Sequence, residues 1–217
     1  MISNVHEQIE KNRAKIEKWF DEKFEGLRPP IYASVDIRNS HHKIAVVDTN
    51  VFPAGFNNLC PNYNRQVVEA FRDYLGAHFP STKSVMLLPE LHTRNRFYLE
   101  NTRCLASAIV SAGYDVRVGS LDPELRTSSV TLDAMNGDIT MEKVERSGDE
   151  IGTDGFLPDL VISNNDFSGG VPAILTGLSQ TVVPYPDLGW HRRRKSNHFR
   201  IMNELIEDFG KTSGISP

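Results

Sequence analysis

The spacing of apolar residues predicts alternating helices and strands along most of the chain. Apolar residues recur between residues 5 and 24 at the intervals of an amphipathic helix, which we expect to pack as a cap on the core. Two short β-branched stretches follow, at 31–37 and 43–47, and both have the composition of strands. The polar residues between them predict a tight turn that includes His41 and His42.

The same alternation continues through the rest of the sequence. Helices are predicted at 67–79, 97–112, 172–178 and 198–209, and strands at 84–88, 114–119 and 157–163. This order is typical of an α/β fold, and we predict an open, mostly parallel sheet with helices on both faces. The segment 122–154 is rich in Ser, Thr, Asp and Gly and is where a β-hairpin excursion is expected.

Composition narrows the class of protein. A chain of 217 residues can bury a sizeable core, and we predict a single α/β substrate-binding domain over residues 1–217. The net charge of −4 leaves no overall basic field, so nucleic acid is not an expected partner. No apolar run approaches the roughly 20 residues that cross a bilayer, so no membrane partner is expected. Cys60 and Cys104 do not form a disulfide framework, and a cytoplasmic location follows.

Polar residues are dense just after the predicted strands, where open α/β sheets bind their ligands. The four clusters are Asp36, Arg38 and Asn39; Asp48, Asn50 and Asn57; Glu90, His92, Arg94 and Asn95; and Asn164, Asn165 and Asp166. An amino-acid ligand requires a guanidinium for its carboxylate and oxygen atoms for its ammonium group, and these clusters supply both. The alternative interpretation is that the Asp and Asn residues cap helices and form turns.

A basic run, Arg192, Arg193, Arg194 and Lys195, precedes or opens the last predicted helix. Backbone N–H groups and the helix dipole favour an anion at such a position, so phosphate or carboxylate binding is expected. A solvated basic turn is the alternative. Neither a P-loop motif nor a G-x-G-x-x-G fingerprint is present.

The segment IYASVDIRNSHHKIAVVDTNVFPAGFNNL, residues 31–59, resembles the glutamate-cysteine ligase of some proteobacteria, a family related to the ATP-grasp ligases. The segments LLPELHTRNRFYLENT, LVISNNDFSGGVP and PYPDLGWHRRRKSNHF continue the resemblance as far as Phe199. The resemblance therefore covers most of the chain. It implies a preATP-grasp-like sheet.

The resemblance also implies a reaction, the first step of glutathione biosynthesis. ATP activates the γ-carboxylate of glutamate as an acyl phosphate, the amine of cysteine attacks it, and Mg²⁺ neutralises the phosphates. Positioning and electrostatic stabilisation then supply most of the rate. The implied catalytic residues are Arg38, Arg94 and Arg193. The implied substrate-binding residues are Asp48, Asn50, Asn57, Glu90, His92, Asn95, Asn165 and Asp166. The implied ATP contacts are Arg192, Arg194 and Lys195, and the metal ligands are left open.

Chains of this family are longer, and their ATP-grasp nucleotide clamp would lie beyond Pro217. We therefore expect an ATP-dependent ligase or its amino-terminal portion, without a following ATP-grasp domain in these residues. A homo-oligomer or a second chain would then complete the site. The alternatives are a non-catalytic amino-acid-binding or regulatory module, and a metal-dependent hydrolase. The hydrolase requires Asp36, Asp48, Glu90 and His92 to converge.

Overall fold

The computed structural model describes residues 2–40 and 44–215, so the predicted turn at His41 and His42 lies outside the described residues. The helices are α1 (Ile2–Lys11), α2 (Arg13–Phe24), α3 (Asn64–His78), α4 (Arg96–Ser111) and α5 (Lys195–Ser213). The strands are β1 (Ser34–Asn39), β2 (Ile44–Asn50), β3 (Ser84–Pro89), β4 (Asp115–Ser120), β5 (Ser129–Asp133), β6 (Asp138–Lys143), β7 (Glu145–Ser147), β8 (Glu150–Gly152), β9 (Leu160–Asn164) and β10 (Thr181–Val183).

The chain divides into two compact units. One comprises the residues up to Pro29 together with those from Arg192 onward, and the other comprises Pro30–His191. Whether the two act as the single substrate-binding domain that the sequence predicts stays a prediction. Within the described residues, no helix is both long enough and apolar enough to cross a lipid bilayer.

In the helical unit, α2 packs against α5 through Trp19. The indole Nε1 donates to Asp208 Oδ2 at 2.8 Å, and the ring meets Phe209 edge-on at 5.2 Å. The Lys23 ammonium, together with the Trp19 N–H, holds the pKa of Asp208 below its ordinary value. The predicted single helix is interrupted at Asn12, whose backbone has φ −106° and ψ 11° and whose side-chain Nδ2 donates to the Gln8 carbonyl oxygen at 3.0 Å.

The larger unit contains a six-stranded sheet in the order β10–β9–β3–β4–β6–β5. Neighbouring strands are parallel from β10 to β6, and only β5 runs antiparallel. The predicted α/β fold with an open, mostly parallel sheet is therefore confirmed. Strand β10 was not predicted, because three residues are too few to show a strand pattern.

Alternate residues of β3 point to opposite faces of this sheet, as strand geometry requires. Val85 and Leu87 lie in a fully buried cluster with Leu75 of α3 and Leu105 of α4. Burial of side chains of this size stabilises the fold by about 2 kcal/mol each. This face is therefore covered by α3 and α4.

The opposite face carries a second cluster, in which Met86 and Leu88 pack with Ile151 and Phe156. A Cβ at Gly119 of β4 would lie only 2.8 Å from the Leu88 side chain, so β4 needs a residue without a side chain at this point. The hairpin β7–β8 and its flanking loops cover the cluster at close range.

Within the described residues of Pro30–His191, the α-helices pack on the first face, and short 3-10 turns and loops pack with the hairpin on the second. The predicted helix at 172–178 shortens to the 3-10 turn Ala173–Leu175, and Gly177 ends it in a left-handed conformation, with φ 67°. The Arg146 guanidinium secures this turn, because its Nη1 donates to the Thr176 carbonyl oxygen at 2.6 Å.

The segment 122–154 contains the expected hairpin, and a second one beside it. The first, β5–β6, joins the main sheet because β6 pairs parallel with β4, so it extends the sheet and is not an excursion from it. The second, β7–β8, is a separate two-stranded ribbon.

The two strands predicted after the first helix pair with each other and not with the main sheet. They form the antiparallel hairpin β1–β2, as a short connection favours. Asp36, Arg38, Asp48 and Asn50 therefore lie inside hairpin strands, and the prediction that they follow strands of the main sheet was wrong.

Candidate functional site

The carboxyl ends of β3 and β9 meet at one edge of the sheet, where Pro89 pairs with Asn164. Just beyond them, the Asp166 backbone N–H lies 3.5 Å from Glu90 Oε1. Glu90 Oε2 lies 2.6 Å from His92 Nε2, and the Glu90 side chain is 26% exposed. Glu90, His92 and Asp166, three of the predicted substrate-binding residues, are therefore brought together in a position that water and ligands can reach.

The loop after β9 is held in an uncommon conformation. Asn165 Oδ1 accepts from the Phe167 N–H at 2.9 Å, and Asp166 Oδ1 accepts from the Ser168 N–H at 2.8 Å. Phe167 is buried and has φ 50°, in the left-handed region that bulky residues rarely adopt. Backbone strain of this kind concentrates at functional sites, and this loop carries two predicted site residues.

Two tyrosines tie the strand ends together. The Tyr98 hydroxyl accepts from the Glu90 N–H at 2.8 Å and donates to the Asn164 carbonyl oxygen at 3.2 Å. The Tyr32 hydroxyl donates to the Ser163 carbonyl oxygen. Burial raises the pKa of both hydroxyls, so they remain protonated donors at neutral pH.

A pair of buried asparagines attaches the loop after β2 to this edge. Asn101 Oδ1 accepts from the Gly55 N–H at 2.7 Å and from the Phe56 N–H at 2.9 Å. Asn164 Nδ2 donates to the Pro53 carbonyl oxygen at 2.8 Å. The two amides join each other, Asn101 Nδ2 to Asn164 Oδ1, at 3.3 Å.

Sequence reasoning did not select Tyr98 or Asn101, and it placed Asn164 in a polar cluster without assigning it a role in the site. One signal was present: Asn101 lies three residues after Tyr98 and four before Leu105, at the spacing of a buried helix face. A polar residue on a core-facing stripe needs a partner, and the partner cannot be read from local spacing.

The turn after β3 places Arg94 and Asn95 at the surface. Residues 91–95 line an open cleft of about 390 Å³. Arg94 is exposed there, whereas Asn95 Oδ1 accepts from the N–H groups of Phe97 and Tyr98 at 3.1 and 3.2 Å and caps α4. Helix capping, the alternative interpretation, therefore describes the contacts of Asn95.

Asn57 lies in a different cleft, of about 340 Å³, between α3 and α4. Glu100 is on its wall, only 3% exposed, and accepts from Arg103 Nη2 at 2.6 Å. This ion pair, helped by Asn136, lowers the pKa of Glu100 to about 2 in spite of its burial. Burial raises the pKa of the neighbouring Cys104 thiol, so the thiol is a weak nucleophile.

The remaining candidates lie on other elements. Arg38 is exposed on β1, where Asp36 pairs with Asp48 across the hairpin. Asn50 Oδ1 accepts from the Phe52 N–H at 2.9 Å and so shapes the start of the loop after β2.

The basic run belongs to the helical unit. Arg194 precedes the first turn of α5 and Lys195 opens it, three residues earlier than predicted. Arg192 and Arg193 come directly before them. Their roles in anion binding stay predictions.

Among residues 2–40 and 44–215, no group of three or more His, Cys, Asp or Glu side chains could hold a metal ion. The convergence that a hydrolase would require of Asp36, Asp48, Glu90 and His92 is therefore not found.

A family model described as GshA, glutamate-cysteine ligase, matches residues 6–217. The fold is similar to that of a Methylobacillus flagellatus KT protein solved at 1.90 Å and provisionally described as a gamma-glutamylcysteine synthetase, with a TM-score of 0.91 and 39% sequence identity. The similarity covers 99% of this chain and 50% of the other, so this chain spans about half the length of that protein. No curated protein matches the chain.

Proposed function

Because the chain belongs to the glutamate-cysteine ligase family, we propose that it is the substrate-binding part of an ATP-dependent ligase that joins glutamate to cysteine. The observation that carries the proposal is the family match over residues 6–217. The polar groups at the carboxyl ends of β3 and β9 support it, because amino-acid recognition requires carboxylate and amide groups at one place. The product would be γ-glutamylcysteine, in the first step of glutathione biosynthesis.

Glu90 and Asp166 are proposed to bind the ammonium group of glutamate. Their proximity supports this role, because the Asp166 N–H lies 3.5 Å from Glu90 Oε1. His92 contacts Glu90 and would keep that carboxylate oriented. Asn165 shapes the loop that carries Asp166, so its proposed part is to position the loop.

Arg94 is proposed to bind a carboxylate of glutamate. A guanidinium fork matches carboxylate geometry, and Arg94 lies two residues after His92 in the turn that lines the open cleft. Arg38, Asp48, Asn50 and Asn57 remain candidates for further substrate contacts.

The start of α5 is proposed to contact ATP. The first-turn N–H groups and the dipole of a 19-residue helix suit phosphate oxygens, and Arg192, Arg193, Arg194 and Lys195 add positive charge. ATP would supply the phosphoryl group that activates the γ-carboxylate. No step is assigned to Mg²⁺, because its ligands are not identified among the described residues.

Calorimetric titration tests the proposal. The purified chain would be titrated with glutamate, with aspartate as the shorter control, and separately with ATP and Mg²⁺. A phosphate-release assay with cysteine would follow. We expect glutamate to bind more tightly than aspartate. No binding of glutamate or ATP would overturn the proposal. Glutamate binding without ATP binding or turnover would fit a substrate-binding part or an amino-acid-binding module, and it would remove the proposed ATP contact at α5.

A further inference from the structure

Two buried amides lie at the carboxyl ends of β3 and β9, the carboxyl edge of the sheet. Every polar atom of their side chains forms a hydrogen bond. Asn101 and Asn164 are 1% and 2% exposed. The oxygen of Asn101 accepts two backbone N–H groups of the loop after β2, and the nitrogen of Asn164 donates to a backbone carbonyl of the same loop. The remaining nitrogen and oxygen bond to each other.

Burying two amides costs more desolvation free energy than burying apolar side chains of similar size. A buried amide must recover its lost hydration through hydrogen bonds, and an apolar residue of similar size is often as stabilising. The amide pair provides directional hydrogen bonds, which fix the backbone of a loop that has no strand partner in the main sheet.

The anchored loop is also linked to the strained loop after β9. Phe52, which is buried at 4% exposure, meets the Phe167 ring with centroids 6.1 Å apart. Gly55 reaches Asn101 through a backbone with φ 110°, a conformation that side chains disfavour. The two loops beside Glu90 and Asp166 therefore share one set of supports.

We propose that Asn101 and Asn164 are positioning residues that hold the loop after β2, residues 51–57, at the carboxyl ends of β3 and β9 and thereby set the affinity for glutamate. The inference rests on the proposed function. It assigns a role in ligand affinity to two residues that lie beneath the surface of the site.

The amino ends of the same strands, the amino edge of the sheet, offer a matched control. Asp159 Oδ2 accepts from the N–H groups of Lys83 and Ser84 at 2.8 and 2.9 Å, a pair of consecutive backbone donors as at Asn101, and also from the Ser84 hydroxyl at 2.9 Å. Asp159 lies directly before β9, at the amino ends of the strands. Its removal costs hydrogen bonds but leaves the proposed glutamate site untouched.

The experiment compares Asn101→Ala with Asp159→Ala by thermal unfolding and by calorimetric titration with glutamate. Both variants should unfold at lower temperature than wild type. Only Asn101→Ala should bind glutamate more weakly, by about tenfold, the equivalent of one to two lost hydrogen bonds. Wild-type affinity in a folded Asn101→Ala variant, or equal losses in the two variants, would overturn the inference.

Asn101→Asp keeps the inference testable if the alanine variant does not fold. A protonated carboxyl has the same donor and acceptor arrangement as the amide, whereas an ionised one cannot donate to Asn164, and burial raises the pKa of such a group. Its glutamate affinity relative to wild type should therefore rise as the pH falls from about 8 to about 5.5. A flat ratio would contradict the assignment.

The outcomes separate the two proposals. If wild type itself does not bind glutamate, the proposed function fails and the inference fails with it. If wild type binds and the Asn101 variants bind equally well, only the inference fails.

Discussion

At both the amino and the carboxyl edge of the six-stranded sheet, one side-chain oxygen accepts two consecutive backbone N–H groups, but the two side chains differ in charge and burial. At the amino edge, the Asp159 carboxylate accepts two consecutive backbone N–H groups and is exposed to water. At the carboxyl edge, Asn101 accepts two N–H groups in the same way, but through a neutral amide that is 1% exposed. A buried charge would be costly at this position, which a neutral amide occupies. The charged residues of this edge, Glu90 and Asp166, are more exposed.

This difference teaches how to separate supporting residues from candidate binding residues in the same loop. At the carboxyl edge, neutral buried groups fix the backbone, and charged groups lie within reach of a ligand. At the amino edge, a charged carboxylate itself bonds to the backbone N–H groups, because water screens its charge.

The largest expected effect is at Gly189, which packs against the loop after β9. A Cβ there would lie 2.1 Å from the Asp166 carbonyl oxygen, so Gly189→Ala must displace the backbone and should destabilise the fold by about 3 kcal/mol. Gly169→Ala is the control, because a Cβ at Gly169 would meet nothing within 4 Å. Equal chemical-denaturation midpoints for the two variants would show that the carboxyl edge is not tightly packed.

Glu100 is the exception to the comparison, because it is a charge buried near the carboxyl edge. Glu100→Gln weakens the bond to a partly exposed Arg103, and should cost about 2 kcal/mol at neutral pH. The folded-state pKa of about 2 lies below the unfolded value, so this stabilisation is present above the unfolded pKa and is lost as the pH falls toward 2. Urea unfolding at several pH values would check this, and a difference between the two proteins that is independent of pH would contradict it.

Arg94→Ala tests the exposed side of the carboxyl edge. Because Arg94 is exposed in a turn, the change should leave the melting temperature near that of wild type. It should weaken glutamate binding about tenfold, since a charge-assisted carboxylate contact is lost. Arg126→Ala is the matched control for titration, because Arg126 lies in an exposed loop and pairs there with Glu124. Unchanged affinity in Arg94→Ala would remove Arg94 from the proposed site.

The smallest effect is expected at Asp159. Asp159→Ala should cost about 1 kcal/mol at neutral pH, because exposed hydrogen bonds compete with water. Backbone N–H groups of Lys83 and Ser84 lower the pKa of Asp159, so its contribution is present above the unfolded pKa and disappears as the pH falls through the lowered folded value. A cost as large as that of Gly189→Ala, measured by the same denaturant titration, would remove the contrast between the edges.

Local pattern predicted the centre of the fold well. Strands β3, β4 and β9 are short apolar runs, and α3 and α4 show clear helical periodicity. The bounds of these strands and helices were therefore predicted to within a few residues. Strand β10 has only three residues, and the hairpin β1–β2 depends on which strand pairs with which. Pairing is decided by long-range packing, which local spacing does not encode.

The candidate site was predicted in part for the same reason. Glu90, His92 and Asp166 could be placed together because parallel strands end at a common edge. The asparagine pair could not, because Asn101 and Asn164 are 63 positions apart and meet only in the folded chain. The capping role of Asn95 could have been read from its position before α4.

The buried tyrosines give this edge a characteristic weakness in alkali. Tyr32 and Tyr98 must stay protonated to donate to the backbone of β9, and burial raises the pKa of each above its unfolded value of about 10. The unfolded chain therefore releases these protons first as the pH rises, and each tyrosine removes about 1.4 kcal/mol of stability per pH unit above that value. Near-ultraviolet absorbance of tyrosinate would thus report the opening of the carboxyl edge as a delayed, cooperative ionisation.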